Sequence, residues 1–325
     1  MKHISFMKCN LLVVLCALAM LSTSCINEEL DACKNNKLIF KVENFRGDDI
    51  TLQGLVQDAS LYIFDENQNF VEERKLDFDF IMNRKEIELL NYPSNQKLYI
   101  VAWGNLGDQT KQSMTKAEKL EDLKLVLKSE NGVTQGDPDS LYYGQKEVIT
   151  LDGTVEKTDT IPVRIRIGTY TIKTIGLENA PKALKLKAGN NQFDFGMTNT
   201  LDAYDYQGKE AGEQVTYIPL SKEDNREGFE WITSGELVAV QPGAKLRGGK
   251  QNAFTADGLA VTIFQDGEVL KTVTEAEDEK TSEVVPINIR QGENRDIFIV
   301  FEKDGSISAR IRVTPWGVVD DEIEF

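Results

Sequence analysis

From Lys37 onward the chain is interrupted roughly every 8 to 15 residues by Gly, Asn or Asp, and the stretches between are short runs of β-branched and aromatic residues. A helix needs an apolar stripe held over ten or more residues, and a parallel α/β unit needs such helices between its strands. Punctuation this dense leaves little room for either, so the pattern predicts an all-β chain built from β-sandwiches. At 325 residues the chain exceeds the size at which a single core usually stays single, which predicts two domains.

Residues 37–42 (KLIFKV) read as a first strand. Residues 59–64 (ASLYIF) and 70–76 form a hairpin about Asp65-Glu66-Asn67-Gln68-Asn69, and period-two alternation points Leu61, Ile63 and Phe70 inward. Residues 97–103 (KLYIVAW) are almost continuously apolar, as in a buried sheet centre. Only residues 115–128 carry helical spacing, through Leu120, Leu123 and Leu127, with Thr115 as N-cap and Glu118 completing a capping box. A strand follows at 146–151, then a polar break at 152–158 where the domain boundary is expected. Strands at 163–167 and 170–177 open the second unit, with further candidates at 192–195, 215–218, 235–241, 259–264, 269–273, 284–289, 296–301 and 306–313. Asp266-Gly267 and Asp304-Gly305 mark hairpin turns that need positive φ. Residues 275–283 read as an acidic, solvated loop, and no internal sequence repeat stands out.

The first residues are a leader. Lys2 and Lys8 charge its start, residues 11–21 (LLVVLCALAML) are an apolar core too short to span a bilayer, and Ser22-Thr23-Ser24 precede Cys25. Small residues ending at a cysteine form a lipobox-like site, so Cys25 is expected to be acylated and to become the mature N-terminus. Ser22 occupies the place where that pattern prefers Leu, and an ordinary signal peptide cut nearby is the alternative. The resulting organisation is 1–24 signal peptide, 25–36 lipidated acidic tether, 37–157 N-terminal sandwich and 158–325 C-terminal sandwich.

Charge and residue usage exclude much. Net charge is −16, against clustered phosphate binding and therefore against nucleic acid. The one histidine, His3, lies in the leader, so the mature chain has no imidazole for Ser-His-Asp or Cys-His catalysis or for catalytic zinc. With Cys9 and Cys16 removed and Cys25 acylated, Cys33 has no intramolecular disulfide partner. These points argue for a chain that is not an enzyme, with no cofactor, metal site or small-molecule substrate.

Individual motifs have bland readings. Asp65-x-Asn67-x-Asn69 starts like a calcium loop, but Phe70 stands where Gly is needed and Leu76 where Glu is needed. Gly248-Gly249-Lys250 lacks the rest of a phosphate loop. Trp103, Trp231 and Trp316 could form a sugar-binding face, although Trp103 sits in an apolar strand and reads as core. Asp320-Asp321 is one acidic pair among many. Near the end, Ile307, Ala309, Ile311 and Val313 alternate with polar residues until Pro315, which cannot donate to a ladder. An acidic tail, 318–325, follows with Val319, Ile323 and Phe325 as apolar handles, available for joining subunits or completing its own sheet.

Several landmarks occur in a telling order: Cys25, Glu29, Leu30 and Cys33; Phe64-Asp65-Glu66-Asn67; Tyr92-Pro93; residues 99–105 (YIVAWGN); Leu141-Tyr142-Tyr143-Gly144; Tyr217-Ile218-Pro219; and Val313-Thr314-Pro315-Trp316. The chain resembles the FimB-type fimbrial anchor subunits of Bacteroidales, densely over 25–145 and more loosely over 160–325. The resemblance implies two tandem transthyretin-like β-sandwiches, lipid on Cys25, a surface-exposed place in the outer membrane, and a major fimbrial stalk subunit as partner. It implies a role in anchoring the fimbria and limiting its length, with no catalytic residues. The acidic stretch after Cys25 is similar to the surface-export signal of Bacteroidales lipoproteins, and Asp139-Ser140-Leu141 and Asp159-Thr160-Ile161 resemble O-glycosylation sites of that order. The expected function is anchorage by β-strand exchange, in which main-chain hydrogen bonds supply affinity. The alternatives are an accessory or tip fimbrillin, a surface glycan-binding lipoprotein exposing Trp231 beside a Tyr, and a hydrolase with two carboxyls across a cleft.

Overall fold

The computed structural model describes residues 36–89, 92–107, 109–151, 157–176, 179–186, 193–218, 245–247 and 251–315. The leader, Cys25, Cys33, the break at 152–156, the expected strand at 235–241, Gly248-Gly249-Lys250, Trp231, Trp316, Asp320-Asp321 and the acidic tail lie outside these residues. The described strands are β1 (Asn36–Val42), β2 (Ala59–Phe64), β3 (Phe70–Leu76), β4 (Glu86–Glu88), β5 (Lys97–Gly104), β6 (Gln112–Met114), β7 (Leu125–Leu127), β8 (Ser129–Glu130), β9 (Val133–Thr134), β10 (Tyr142–Ile149) and β11 (Lys157–Ile165). After Arg166 come β12 (Ile167–Ile175), β13 (Asp194–Tyr204), β14 (Glu210–Tyr217), β15 (Lys245–Arg247), β16 (Gln251–Phe254), β17 (Ala260–Gln265), β18 (Glu268–Val273), β19 (Glu275–Asp278), β20 (Val284–Pro286), β21 (Glu293–Phe301) and β22 (Ile307–Pro315). Two one-turn helices, α1 (Phe78–Met82) and α2 (Ala180–Leu184), accompany them. The Asp77 carboxylate caps α1 by accepting from Phe80 N at 2.7 Å. The all-β expectation holds.

Three sheets organise the strands. The first runs β3-β2-β5-β10-β11-β1-β4. The second runs β15-β12-β21-β22-β19-β20, with β16 also on β12. The third runs β18-β17-β13-β14-β9-β8, with β7 on β13 and β6 on β7. The first strand of each half pairs in parallel with a late one: β1 with β11 from Asn36↔Lys157 to Val42↔Val163, and β12 with β21 from Thr169↔Asn294 to Ile175↔Val300. The core is one continuous cluster through both halves, with Leu38, Phe40, Leu61, Ile63 and Trp103 on one side and Tyr170, Tyr217, Phe254, Ile297 and Phe301 on the other, all 0–1% exposed. Each such side chain contributes about 1.5–3 kcal/mol of burial.

Three expectations are revised. Residues 115–128 are not a helix. They contain β7 and a single 3-10 turn, Leu120–Asp122. Their backbone is committed elsewhere: Phe70 N donates to Glu118 O and Leu120 N to Gln68 O, both at 2.9 Å, and Ala203 and Tyr204 pair with Val126 and Leu125. Leu123, Leu125 and Leu127 are buried at period two, and that spacing wins over Leu120–Leu123–Leu127. The acidic loop begins as strand β19, which pairs with β20 and β22. Phe70 lies on the outer strand β3 at 40% exposure, touching Phe64 edge-on at 5.7 Å, because β3 runs over the surface and buries only Leu76.

The expected boundary between residues 157 and 158 falls at the start of β11. That strand hydrogen-bonds to β1 and β10, so the chain leaves the first sheet only at Arg166. Residues 112–134 also belong to the third sheet, although they precede that step in the chain.

Candidate assembly site

Three features bear on how this chain could meet a neighbour: how β1 is held, which sheet edges are open, and what joins the sheets. The described residues begin with β1. Asn36 is buried to 6% exposure; its side-chain amide donates to Ile149 O at 3.1 Å and its carbonyl accepts from Leu89 N at 2.9 Å. At the other end of β1, Val42 N donates to Thr51 Oγ1 at 2.9 Å and Val42 O accepts from Ile50 N at 2.9 Å. Just beyond, Glu43 pairs with Lys41 at 3.0 Å and Arg164 at 2.8 Å. Burial pushes the Glu43 carboxyl up, but hydrogen bonds from Arg164 and Lys41 outweigh it and hold the group below the usual range.

The edges differ in how open they are. On β3, Arg74 binds Glu72 and reaches Glu88 O at 2.5 Å on β4, the opposite edge of the same sheet, while the Tyr92 hydroxyl donates to Glu72. Charged side chains tied across the two edges leave a poor template for a further strand. By contrast β18 is the outer strand of the third sheet, and Val269 stands 60% exposed on it. β22 has the expected alternation, with Ala309 and Ile311 buried, and ends at Pro315 as anticipated. It is paired by β21 along its length and by β19 at Arg310 and Ile311, so it completes its own sheet there.

The two halves meet in an aromatic cluster. Trp103 on β5 is fully buried, 4.9 Å from the Tyr143 ring and stacked on Tyr204 at 5.8 Å, and Tyr204 packs on Phe254 at 4.3 Å. The Arg166 guanidinium sits 5.1 Å over Tyr204, donates to Gln291 at 2.8 Å and lies 3.7 Å from Glu210. Tyr143 donates to Tyr206 O at 2.9 Å. The Tyr204 hydroxyl accepts from Thr255 N at 2.7 Å and donates to Arg166 O at 3.1 Å; burial pushes it up to about 12, hydrogen bonds from Thr255 opposing. Gly292 is closed over by Phe45: a Cβ there would meet the ring at 1.9 Å. Strand pairing reinforces the joint through β7 on β13, Thr216↔Val133 between β14 and β9, and Asn252 Nδ2 donating to Pro138 O at 2.9 Å. Sequence reasoning found Trp103 as core but not Arg166, Tyr204 or this cluster, because nothing local in the chain marks residues that meet across 38 or more positions.

The other singled-out residues have structural duties. Asp65 accepts from Asn67 N at 2.9 Å and Asn69 N at 2.8 Å, and Lys119 Nζ, 2.7 Å from Asn69 Oδ1, occupies the place a cation would want. The Asn69 amide and these backbone donors hold the Asp65 carboxyl low. Asp139 is bound by Lys111 at 3.0 Å and Gln112 at 2.8 Å, beside half-buried Ser140; Thr160 is exposed on β11. Full burial removes Trp103 from any sugar-facing platform. Among the described residues, no group of three or more His, Cys, Asp or Glu side chains is placed to hold a metal ion, and no helix is long and apolar enough to cross a membrane.

Comparisons agree with this picture. A family model for the fimbrillin-A associated anchor proteins Mfa1 and Mfa2 matches residues 30–322. The major fimbrium anchoring subunit FimB of Porphyromonas gingivalis ATCC 33277 is 23% identical over 304 residues, 93% of each chain. FimB of strain W83 is 23% identical over 308 residues, again 93% of each. Among solved structures, a candidate polysaccharide-binding protein of Bacteroides thetaiotaomicron VPI-5482 has TM-score 0.62 at 16% identity, over 89% of this chain and 99% of its own. The fimbrial anchor protein Mfa2 of P. gingivalis has TM-score 0.56 at 14% identity, over 87% and 97%. At these identities the structural likeness speaks to fold.

Proposed function

Because this chain belongs to the family of fimbrillin-A associated anchor proteins, we propose that it is the lipid-tethered subunit that holds a surface fimbria to its cell. The observation that carries the reading is the family match, which begins at Leu30, just after Cys25, and continues to residue 322. In this reading Cys25 is acylated after removal of residues 1–24, and the acyl chains hold the protein in the outer membrane with the body facing outward. Each buried methylene contributes about 0.8 kcal/mol, so two or more acyl chains suffice whatever the protein's charge. The body is two sandwich units with the change-over at Arg166.

The partner is a fimbrial stalk subunit, joined by strand exchange; the open β18 edge is one surface that suits main-chain pairing. A subunit fixed to the membrane at one end can take no further subunit on that side, which gives a physical route to limiting fibre length. The first test is Cys25→Ala, expected to shift the protein from the membrane fraction into periplasm or medium and to shed fibres with it. Unchanged membrane association after detergent-free washing would refute the tether. A second test isolates the protein from outer membranes in mild detergent: co-purification of a stalk subunit is expected, and its absence from intact, fimbriated cells counts against anchorage.

A further inference from the structure

We infer that β1 and β11 form a shear clamp, a mechanical function built into the strand order. The source of the load rests on the anchoring reading above; the geometry does not. Force from a tether arrives at the N-terminal end of β1, at Asn36. Force from the rest of the molecule leaves the C-terminal end of β11, which passes through Arg166 straight into β12. Because β1 and β11 are parallel and in register over seven residues, the two pulls slide one strand along the other. Parallel ladders are evenly bonded, so the bonds strain together and must break together. Were the partner antiparallel with the same exits, the bonds would open one at a time.

Side chains hold the register. Leu38, Phe40 and Val42 are 0–1% exposed on the core face, and a one-residue slip would turn all three out to the other face. The smallest slip that restores facing is two residues, about 6.6 Å, and it takes all three side chains out of their pockets at once. The ends are pinned as well, by Leu89 N and Ile149 O at Asn36, by Thr51 and Ile50 at Val42, and by Glu43 N donating to Val163 O at 2.9 Å. β4 adds three antiparallel pairs on the free side of β1. The second half repeats the device, with β12 starting at the junction and pairing in parallel with β21.

The test uses one folded molecule pulled in two directions by single-molecule force spectroscopy. The chain from residue 25 onward, with Cys25→Ser and Cys33→Ser, carries one handle on Lys303→Cys at an exposed hairpin tip and the other on either Asn35→Cys or Arg46→Cys. The first pair loads β1 in shear; the second peels it from its Val42 end. Rupture in shear is expected at about twofold higher force or more, since forced unfolding reports the barrier along the pulled path rather than the equilibrium stability. Urea midpoints of the two handle variants, expected to match, show that both are equally folded. Equal rupture forces with matched midpoints would overturn the clamp while leaving anchorage untouched. Failure of Cys25→Ala to release the protein would overturn the tether while leaving the force ratio as measured.

Discussion

Trp103 gives the sharpest energetic test of the junction. Its ring is fully buried between Tyr143 and Tyr204, yet its indole N–H finds no hydrogen-bond partner among the described residues. An unpaired buried donor costs about 1–3 kcal/mol, while a large aromatic removed to Ala costs about 3–5 kcal/mol through lost burial and the cavity left behind. Trp103→Phe deletes the orphan donor and keeps a ring against both tyrosines, giving up only part of the indole's contact. The two effects oppose each other, so its net change should stay within about 1 kcal/mol. Trp103→Ala has no such offset and should lose about 3–5 kcal/mol, with the aromatic pairs adding about 0.5–1.5 kcal/mol more. For a chain of this size each kcal/mol moves the melting temperature by roughly 2 °C, so the variants should differ by roughly 5 °C or more. Far-UV circular dichroism is the suitable probe, because Trp231 and Trp316 would mix into a fluorescence signal. Equal losses for Phe and Ala would mean that the indole N–H matters to the junction. A negligible loss for Ala would mean that the halves are not held together here.

Gly144→Ala should be among the most damaging small changes, by about 2–3 kcal/mol or more in urea unfolding, because its Cβ would lie 2.1 Å from Pro162 O, a backbone atom that cannot swing away. Gly208→Ala should cost about 1–3 kcal/mol, since φ is +68° and the new methyl would meet the Tyr143 ring at 2.8 Å. Acid should weaken the β1 end first. Glu43 and Asp49 are held below their ordinary values, so their contribution is present above the unfolded pKa and lost as pH falls through the folded one. The urea midpoint should therefore fall between about pH 5 and pH 3, and Arg164→Gln should flatten that slope; an unchanged slope refutes the pairing as its source.

Much of the fold was legible because strands leave a local trace. ASLYIF and FVEERKL coincide with β2 and β3, since alternation and flanking turn residues are properties of adjacent positions. The turn at Asp266-Gly267, with φ of 51° and 80°, follows from the residues alone. Pairing partners left no such trace. Leucines at 120, 123 and 127 fit a helix as well as those at 123, 125 and 127 fit a strand, and pairing with β6 and with β13, 77 to 79 positions on, decides between them. The likeness of two distant turns shows the same limit. Asp205 accepts from Gln207 N and Lys209 N as Asp65 does from Asn67 N and Asn69 N, with Gly208 and Gln68 in the same left-handed conformation, yet the two turns share only their aspartate in sequence. The junction was unreadable in the sequence because every contact in it is long-range, while Cys25, proposed as the tether, lies outside the described residues.

The insertion of β6 to β9 into a sheet whose other members are translated later has an evolutionary price. Halves joined by a bare linker can be exchanged between relatives as cassettes, each bringing its own finished surface. Here a crossover at Arg166 would give the incoming half strands β13 and β14 that must accept Leu125, Val126 and Val133 from a foreign donor. Chimeras cut there should fold poorly even when both parents are sound, whereas chimeras that carry residues 112–134 with the C-terminal half should recover. Gene lineages of this architecture are thus expected to diversify by whole-chain drift rather than by shuffling halves.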